Sequence, residues 1–182
     1  MQQLLKWTLA TIREEASGFS WMEEYRYEWA PLVKSATAQV LEGKTVLIIT
    51  DDSRQWFGQY ILNSINALHK NRPLLPFYPL IELFPNLKSI TSTQELQLLE
   101  DMLEISYPNG YYIWYIGKSD HPYTKQAYRC EDSFLWIMDE EVQNSFSLRS
   151  SDALLDIKLL QLHKLFDATI SAALFGDLDL ES

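Results

Sequence analysis

The chain has 182 residues, a length typical of one domain. Hydrophobic residues make up 47% of the sequence and charged residues only 22%, so the chain can bury a sizeable core and intrinsic disorder is excluded for most of it. The formal charge of −10 has the wrong sign for a protein that holds nucleic acid by neutralising phosphates. We therefore expect no direct contact with nucleic acid.

Cysteine content and hydropathy indicate the compartment. The single Cys130 excludes an internal disulfide and any zinc site built from several cysteines, which is typical of a reducing environment. The most apolar segment, residues 153–175, is interrupted by charged side chains and cannot span a bilayer. The first residues contain neither a basic leader nor a small-residue cleavage site. These features predict a cytoplasmic protein without a membrane partner.

The first 42 residues are predicted to be helical. Residues 2–15 have one apolar side, and Ser20 is a suitable N-cap for a second helix. Pro31 is expected in the first turn of a further helix, where its missing N–H is tolerated. We expect residues 1–42 to form an N-terminal helical arm that serves oligomerisation. Three aromatic residues recur at helical spacing in it: Trp21, Tyr25 and Trp29.

The remainder, residues 44–182, alternates strand and helix patterns. Residues 44–50 form a continuous run rich in β-branched residues, which is typical of a strand covered on both faces in a parallel sheet. Other short apolar runs predict strands at 75–80, 111–116 and 133–138, with a short fifth strand at 144–148.

Helices are predicted between these strands. Ser53 is the expected N-cap of a helix with an apolar face that extends to Leu68. A capping-box spacing from Ser92 to Glu95 starts another, and Ser150 or Ser151 caps a long final helix. The alternation predicts an α/β fold: one three-layer Rossmann-like domain with a four- or five-stranded, mainly parallel sheet.

The turn after the first strand is where ligands bind in such a sheet. Here it contains Asp51 and Asp52 and no glycine, whereas a phosphate-binding turn needs bare N–H groups and no competing charge. At an effective dielectric constant of 20, a carboxylate about 5 Å from a phosphate charge costs about 3 kcal/mol. Nucleotide and sugar-phosphate binding are therefore not expected.

The sequence gives little indication of metal binding or catalysis. The aspartate pair could hold Mg²⁺ as in phosphoacceptor domains, but the sequence lacks an aspartate at the end of a later strand; a helix N-terminal role is favoured. The histidines lack partners at metal-ligand spacing, and His163 is expected on the polar side of the last helix. No nucleophile motif is present. We predict no catalytic residue, metal or cofactor.

Aromatic and apolar side chains are the remaining signals. Core packing or self-association is the favoured interpretation of the Trp21, Tyr25 and Trp29 stripe, with partner contact as the alternative because glutamates flank it. Leu174 and Phe175 come directly before a predicted helix end at Gly176, where they would form an exposed apolar anchor.

Several segments resemble a known family. Residues 41–49 and 72–76 resemble the start of the sugar-isomerase (SIS) fold in DiaA-like replication-initiation proteins, and the more extensive similarity is to the HobA family. The segments similar to HobA proteins are 52–57, 133–136 and 152–162. The long last segment is the most specific of them.

The resemblance implies a catalytically inactive homotetramer that binds the N-terminal domain of the initiator DnaA and promotes its ordered assembly at the origin. It places a DnaA-contacting pair at Leu174 and Phe175. Further partner contacts are considered at four residues after the first strand: Asp51, Ser53, Arg54 and Trp56. The alternatives are a sugar-phosphate isomerase or sensor with the SIS fold and, less favoured, a Mg²⁺-dependent phosphoacceptor.

Overall fold

The computed structural model describes residues 1–15, 18–130 and 132–180, and within them it contains a sheet of five parallel strands in the order β2-β1-β3-β4-β5. In chain order the strands are β1 (Thr45–Thr50), β2 (Phe77–Pro79), β3 (Tyr111–Lys118), β4 (Phe134–Met138) and β5 (Ser145–Leu148). β1 and β3 pair along their length, from Thr45 opposite Tyr111 to Thr50 opposite Ile116. The predicted parallel α/β fold is confirmed, with the larger number of strands.

Helices cover both faces of the sheet. They are α1 (Gln2–Glu14), α2 (Met22–Leu41), α3 (Gln55–Ile65), α4 (Leu80–Leu83), α5 (Thr93–Ser106), α6 (Thr124–Arg129) and α7 (Leu155–Phe175). Short 3₁₀ turns lie at Asp52–Arg54, Leu68–Lys70 and Pro85–Ser89. The predicted capping box of α5 is confirmed, because Ser92 Oγ accepts from the Glu95 N–H and the Glu95 carboxylate accepts from the Ser92 N–H. None of the described helices is long and apolar enough to cross a membrane.

The core has two layers because successive strand residues face opposite sides of the sheet. On one side α2, α3 and α7 pack on the sheet, and α1 packs against α2 and α7. This layer is rich in aromatic rings, such as Trp114 and Trp136, whose centroids lie 5.0 Å apart. On the other side, α4, α5 and α6 cover residues such as Leu47 and Ile113.

Pro31 does not start a new helix: the expectation of a helix boundary there is wrong. α2 continues through it from Met22 to Leu41. A proline inside a helix costs about 3 kcal/mol because it removes a backbone hydrogen bond. Trp29 and Val33, on either side of Pro31, are fully buried in the aromatic layer, and burial of such side chains outweighs that cost. Trp29 therefore has the core role favoured for the aromatic stripe.

The two predicted serine caps, before α3 and before α7, are not found, and aspartates bond to backbone N–H groups near both helix starts. The Asp51 side chain, not Ser53, accepts from the Arg54 N–H at the start of the turn that leads into α3. Before α7, the Asp152 carboxylate accepts from the Leu154 N–H at 2.9 Å, whereas Ser150 binds Asp139. Asp51 is thus the N-cap of the 3₁₀ turn, a position for which aspartate is as good as serine, and the negative charge of both aspartates suits the start of a helix.

His163 is buried in the core, and its predicted position on a polar helix side is wrong. Its Nε2 is hydrogen-bonded to Ser64 Oγ at 2.7 Å, and its ring stacks on Trp114 at 6.3 Å between centroids. Nδ1 has no partner among the described residues. Burial lowers the pKa of His163 to about 4, although the nearby Asp167 carboxylate raises it.

Candidate functional site

A crevice lies at the carboxyl ends of β1 and β3. The strand order 2-1-3-4-5 reverses direction between these two neighbours, and doubly wound sheets bind ligands beyond the strand ends at such a point. Here the crevice is formed by the residues that follow Thr50 and by the end of β3 at Gly117 and Lys118.

Asp51 fills this crevice with its own carboxylate. Oδ1 accepts from the Arg54 N–H at 3.1 Å and from Arg54 Nε at 2.7 Å, while Oδ2 accepts from Arg54 Nη2 and from the Lys118 N–H at 2.9 Å. Both Asp51 and Arg54 are buried. The carboxylate is therefore satisfied on both oxygens by the protein itself.

Gly117 allows Asp51 to lie so close to β3. A Cβ atom at Gly117 would be 2.6 Å from Tyr115 Oη and 2.9 Å from Asp51 Cγ, both too close for any side chain. Tyr115 Oη in turn donates to the Lys118 carbonyl at 2.6 Å, and burial raises the pKa of its phenol. The space where a phosphate group would lie is thus taken by packed side chains, and a buried carboxylate repels an anion.

The rim of the crevice is polar and exposed. Asp52 pairs with Lys88 at 2.8 Å and approaches His121 at 3.7 Å, and these neighbours hold the pKa of Asp52 below its usual range. Ser53 and Trp56 are also exposed on this rim. Among the described residues there is no group of three or more side chains that could hold a metal ion.

The four partner-contact residues considered after the first strand therefore differ in accessibility. Ser53 and Trp56 present their side chains to solvent. Asp51 and Arg54 face each other below the surface, so they can support a contact surface but offer little area to a partner. Their role in partner binding stays a prediction.

A second candidate surface lies at the carboxyl end of α7. Gly176 adopts a left-handed conformation at φ +81°, and the N–H groups of Asp177 and Leu178 both donate to the Ala172 carbonyl. This turn reverses the chain direction after α7, and Leu178 is buried in the core. Leu174 is half-buried against the core, whereas the Phe175 ring is 59% exposed. Phe175 is the accessible member of the predicted anchor pair.

Exposed apolar side chains also lie on the segment that follows α3. The Arg72 side chain donates to Ser171 Oγ at 2.6 Å and to the Ile65 carbonyl at 2.7 Å, which fixes the segment after α3 beside the last turns of α7. On that segment Leu68 is 95% exposed and Leu74 is 77% exposed. The predicted place of Leu68 on the buried face of the preceding helix is wrong, because that helix ends at Ile65.

The comparisons with known proteins agree with the fold. A family model described as "HobA: DNA replication regulator" matches residues 1–180. The DNA replication regulator protein HobA of Helicobacter pylori (strain ATCC 700392 / 26695) is 31% identical over 186 residues, which cover 99% of this chain and 100% of that protein.

Two solved structures have the same architecture. The crystal structure of a HobA-DnaA (domain I-II) complex from Helicobacter pylori matches with a TM-score of 0.75 and 29% identity, covering 98% of this chain and 99% of the other. The crystal structure of HobA from Helicobacter pylori matches with a TM-score of 0.75 and 26% identity over the same shares of the two chains.

Proposed function

Because this chain belongs to the HobA family of DNA replication regulators, we propose that it binds the N-terminal domain of the initiator DnaA. In this role it promotes the ordered assembly of DnaA at the replication origin. The observation that carries the proposal is the match of nearly the whole chain to a HobA from a HobA-DnaA (domain I-II) complex. Calorimetry with domains I and II of the DnaA from the same organism tests it, and no binding at tens of micromolar would overturn it.

The protein acts as an adaptor without catalysis. The filled crevice supports this proposal, because the carboxylate that a substrate or metal would meet is already bound to Arg54 and to the Lys118 N–H. The charge of −10 supports action through DnaA rather than through contact with DNA. The site of action is the cytoplasm, where DnaA and the chromosome lie.

The DnaA contact includes Leu174 and Phe175. We expect the double variant Leu174→Ala/Phe175→Ala to weaken binding of the DnaA domain by more than about 2 kcal/mol, since truncated aromatic and aliphatic anchors have effects of this size. Phe175→Ala alone should account for most of the loss, because Leu174 is half-buried against the core. Isothermal titration calorimetry measures the change.

Ile105→Ala is the control, because Ile105 is an even more exposed apolar residue on α5, on the other side of the sheet. Its affinity for the DnaA domain should equal that of the unmodified protein. Equal affinity of the Phe175→Ala and Ile105→Ala variants would remove Phe175 from the contact.

The protein assembles as a homotetramer through its N-terminal helices in residues 1–42. Tyr27, an exposed aromatic side chain on α2, supports self-association in this region. Light scattering should give four times the chain mass of 21.3 kDa, and the tetramer should survive the double substitution at Leu174 and Phe175.

A sugar-phosphate isomerase or sensor is the second candidate, favoured by the position of the crevice at the reversal of strand order. We expect hexose and heptose phosphates at millimolar concentration to leave the thermal unfolding midpoint unchanged, because the Asp51 carboxylate lies where the phosphate would bind. A specific ligand at 100 times its dissociation constant would stabilise the protein by about 2.7 kcal/mol. A reproducible upward shift would contradict the adaptor as the sole function.

A further inference from the structure

A groove runs along the outer edge of β5, the last strand of the sheet. Its volume is about 530 Å³. One side of the groove is formed by the first half of α2, with Trp21 and Tyr25, and the other by the connection from β4 to β5, with Glu140 and Glu141. We call this feature the β5 groove, and the strand itself, Ser145–Leu148, lies along its base.

The backbone of β5 offers unused hydrogen-bonding groups to this groove. The Leu148 carbonyl accepts from the Asp139 N–H at 2.8 Å and therefore faces β4. Alternate residues of a strand in a parallel sheet direct their N–H and C=O groups to opposite neighbours, so those of Ser147 face the outer edge. No described residue pairs with the Ser147 backbone there.

The connection between the two strands leaves this edge open. Ser145 Oγ donates to the Val142 carbonyl at 2.7 Å, and Ser147 Oγ donates to the Glu140 carbonyl at 3.0 Å. Because side chains project from the face of a sheet, these bonds place the connection over the face of β5 rather than beside its edge. An exposed strand edge of this kind is a template for pairing with another extended chain.

The charges around the groove select the partner. Glu28, Glu140 and Glu141 are exposed, and none of them forms an ion pair with a described residue. Two cationic side chains line the groove, Arg149 and Lys158. Lys158 is paired with Asp152 at 2.6 Å, so only the charge of Arg149 offsets the three glutamates. The free charge of the groove is therefore negative, and a basic segment would be attracted to it.

An aromatic surface adds to this preference. The Lys158 ammonium already lies 4.7 Å from the centre of the Trp21 ring, which shows that this side of the groove accommodates a cation over an aromatic face. Tyr25 is exposed next to it, with its ring 6.0 Å from that of Trp21. An arginine side chain entering the groove can stack on Tyr25 and reach Glu28 one helical turn away.

We propose that the β5 groove binds an extended, arginine-rich segment of a partner protein, which adds to the sheet as a sixth strand beside β5. Backbone bonds to Ser147 provide affinity, and the glutamates and aromatic rings provide the preference for a basic sequence. A second copy of this chain is disfavoured as the occupant, because two such edges would bring their glutamates together. The inference does not rest on DnaA binding.

The test uses the full chain and a fluorescein-labelled ten-residue peptide of alternating arginine and threonine. We expect saturable binding by fluorescence anisotropy at low salt, weaker binding as salt is raised, and none for the matched peptide of glutamate and threonine. Ser147→Pro removes the outward N–H without disturbing the pairing with β4, since edge strands tolerate proline. It should weaken binding of the arginine peptide by about tenfold or more.

Ser147→Ala is the control for the proline variant, because it removes the hydroxyl and keeps the N–H; its affinity should stay within about twofold. In a second variant, Glu140→Lys/Glu141→Lys, we expect loss of the arginine peptide and gain of the glutamate peptide. This variant keeps the test valid if the proline variant unfolds.

Three outcomes would overturn the proposal. They are absence of binding by the arginine peptide, equal binding by the charge-reversed variant, and equal weakening by Ser147→Pro and Ser147→Ala when both are folded. Light scattering of the Ser147→Pro variant tests whether a second copy of this chain occupies the groove instead. A loss of oligomeric mass would assign the edge to a second copy of the chain and would also overturn the proposal.

Discussion

Replacement of Asp51 by alanine is expected to lower the free energy of unfolding by about 3 to 5 kcal/mol, the usual effect of breaking a buried ion pair from one side. The change leaves the Arg54 guanidinium buried without its carboxylate and deprives the Lys118 N–H of its acceptor. An unpaired buried charge is far more costly than the pair is favourable. Urea denaturation at neutral pH, followed by tryptophan fluorescence, measures the effect.

Asp52→Ala is the control, because the Asp52 carboxylate is exposed and its partner Lys88 is also exposed. Its effect should be much smaller, since water screens surface pairs. A second variant, Asp51→Ala/Arg54→Met, removes both buried charges and should recover part of the stability lost by Asp51→Ala. Equal losses for Asp51→Ala and Asp52→Ala would show that the buried pair is not a main support of the crevice.

Acidification is expected to destabilise the protein through His163. Its pKa is about 4 in the folded chain and about 6.5 when unfolded, so between these values the unfolded chain binds a proton that the folded chain does not. The contribution of His163 is fully present above pH 6.5 and is lost as pH falls towards 4. A difference of this size corresponds to about 3 kcal/mol over that window. Denaturation curves at several pH values measure the slope.

His163→Gln provides the comparison for this slope. Glutamine can still bond to Ser64 but does not titrate, so the variant loses less free energy of unfolding on acidification. It is less stable at neutral pH because it lacks the ring that stacks on Trp114. The carboxylates that titrate in the same range are common to both proteins and cancel in the difference. The same pH slope in the two proteins would show that His163 gains its proton without cost, in conflict with its burial.

Much of the fold could be predicted because a strand covered on both faces leaves an uninterrupted apolar run. Residues 45–50 and 134–138 are such runs, and both are strands in the sheet. The helix after Ser92 was predictable for a local reason: its cap depends on two side chains three residues apart. Short helices such as Thr124–Arg129 were not predicted, because six residues are too few for a helical period to emerge.

The errors arise where distant contacts decide the local structure. Judged from its neighbours in the sequence, Pro31 favours the start of a helix. The burial of Trp29 and Val33 instead keeps α2 continuous across Pro31. His163 has a polar side chain, yet it is buried because the hydroxyl of Ser64, 99 positions away, is its hydrogen-bond partner. No pattern within a short window contains that information.

The candidate sites show the same division. The prediction that the turn after β1 does not bind phosphate could be made from the sequence, because it depends on the two aspartates and the lack of glycine in the turn itself. The role of Gly117 could not be predicted, because it lies on another strand and only its lack of a side chain leaves room for Asp51. Leu174 and Phe175 were predicted from the helix end, whereas the position of the segment after α3 depends on the distant bond from Arg72 to Ser171.

The Asp51 and Arg54 pair has a consequence for the conditions under which the protein works. A domain that binds a metabolite at this point becomes more stable as the metabolite accumulates, and its folded population follows the nutritional state of the cell. Here the group that lies in the crevice is the Asp51 carboxylate, which belongs to the chain itself, so its presence there does not depend on the concentration of any metabolite. This end of the sheet is therefore stabilised by the chain's own ion pair, without any contribution from a bound ligand.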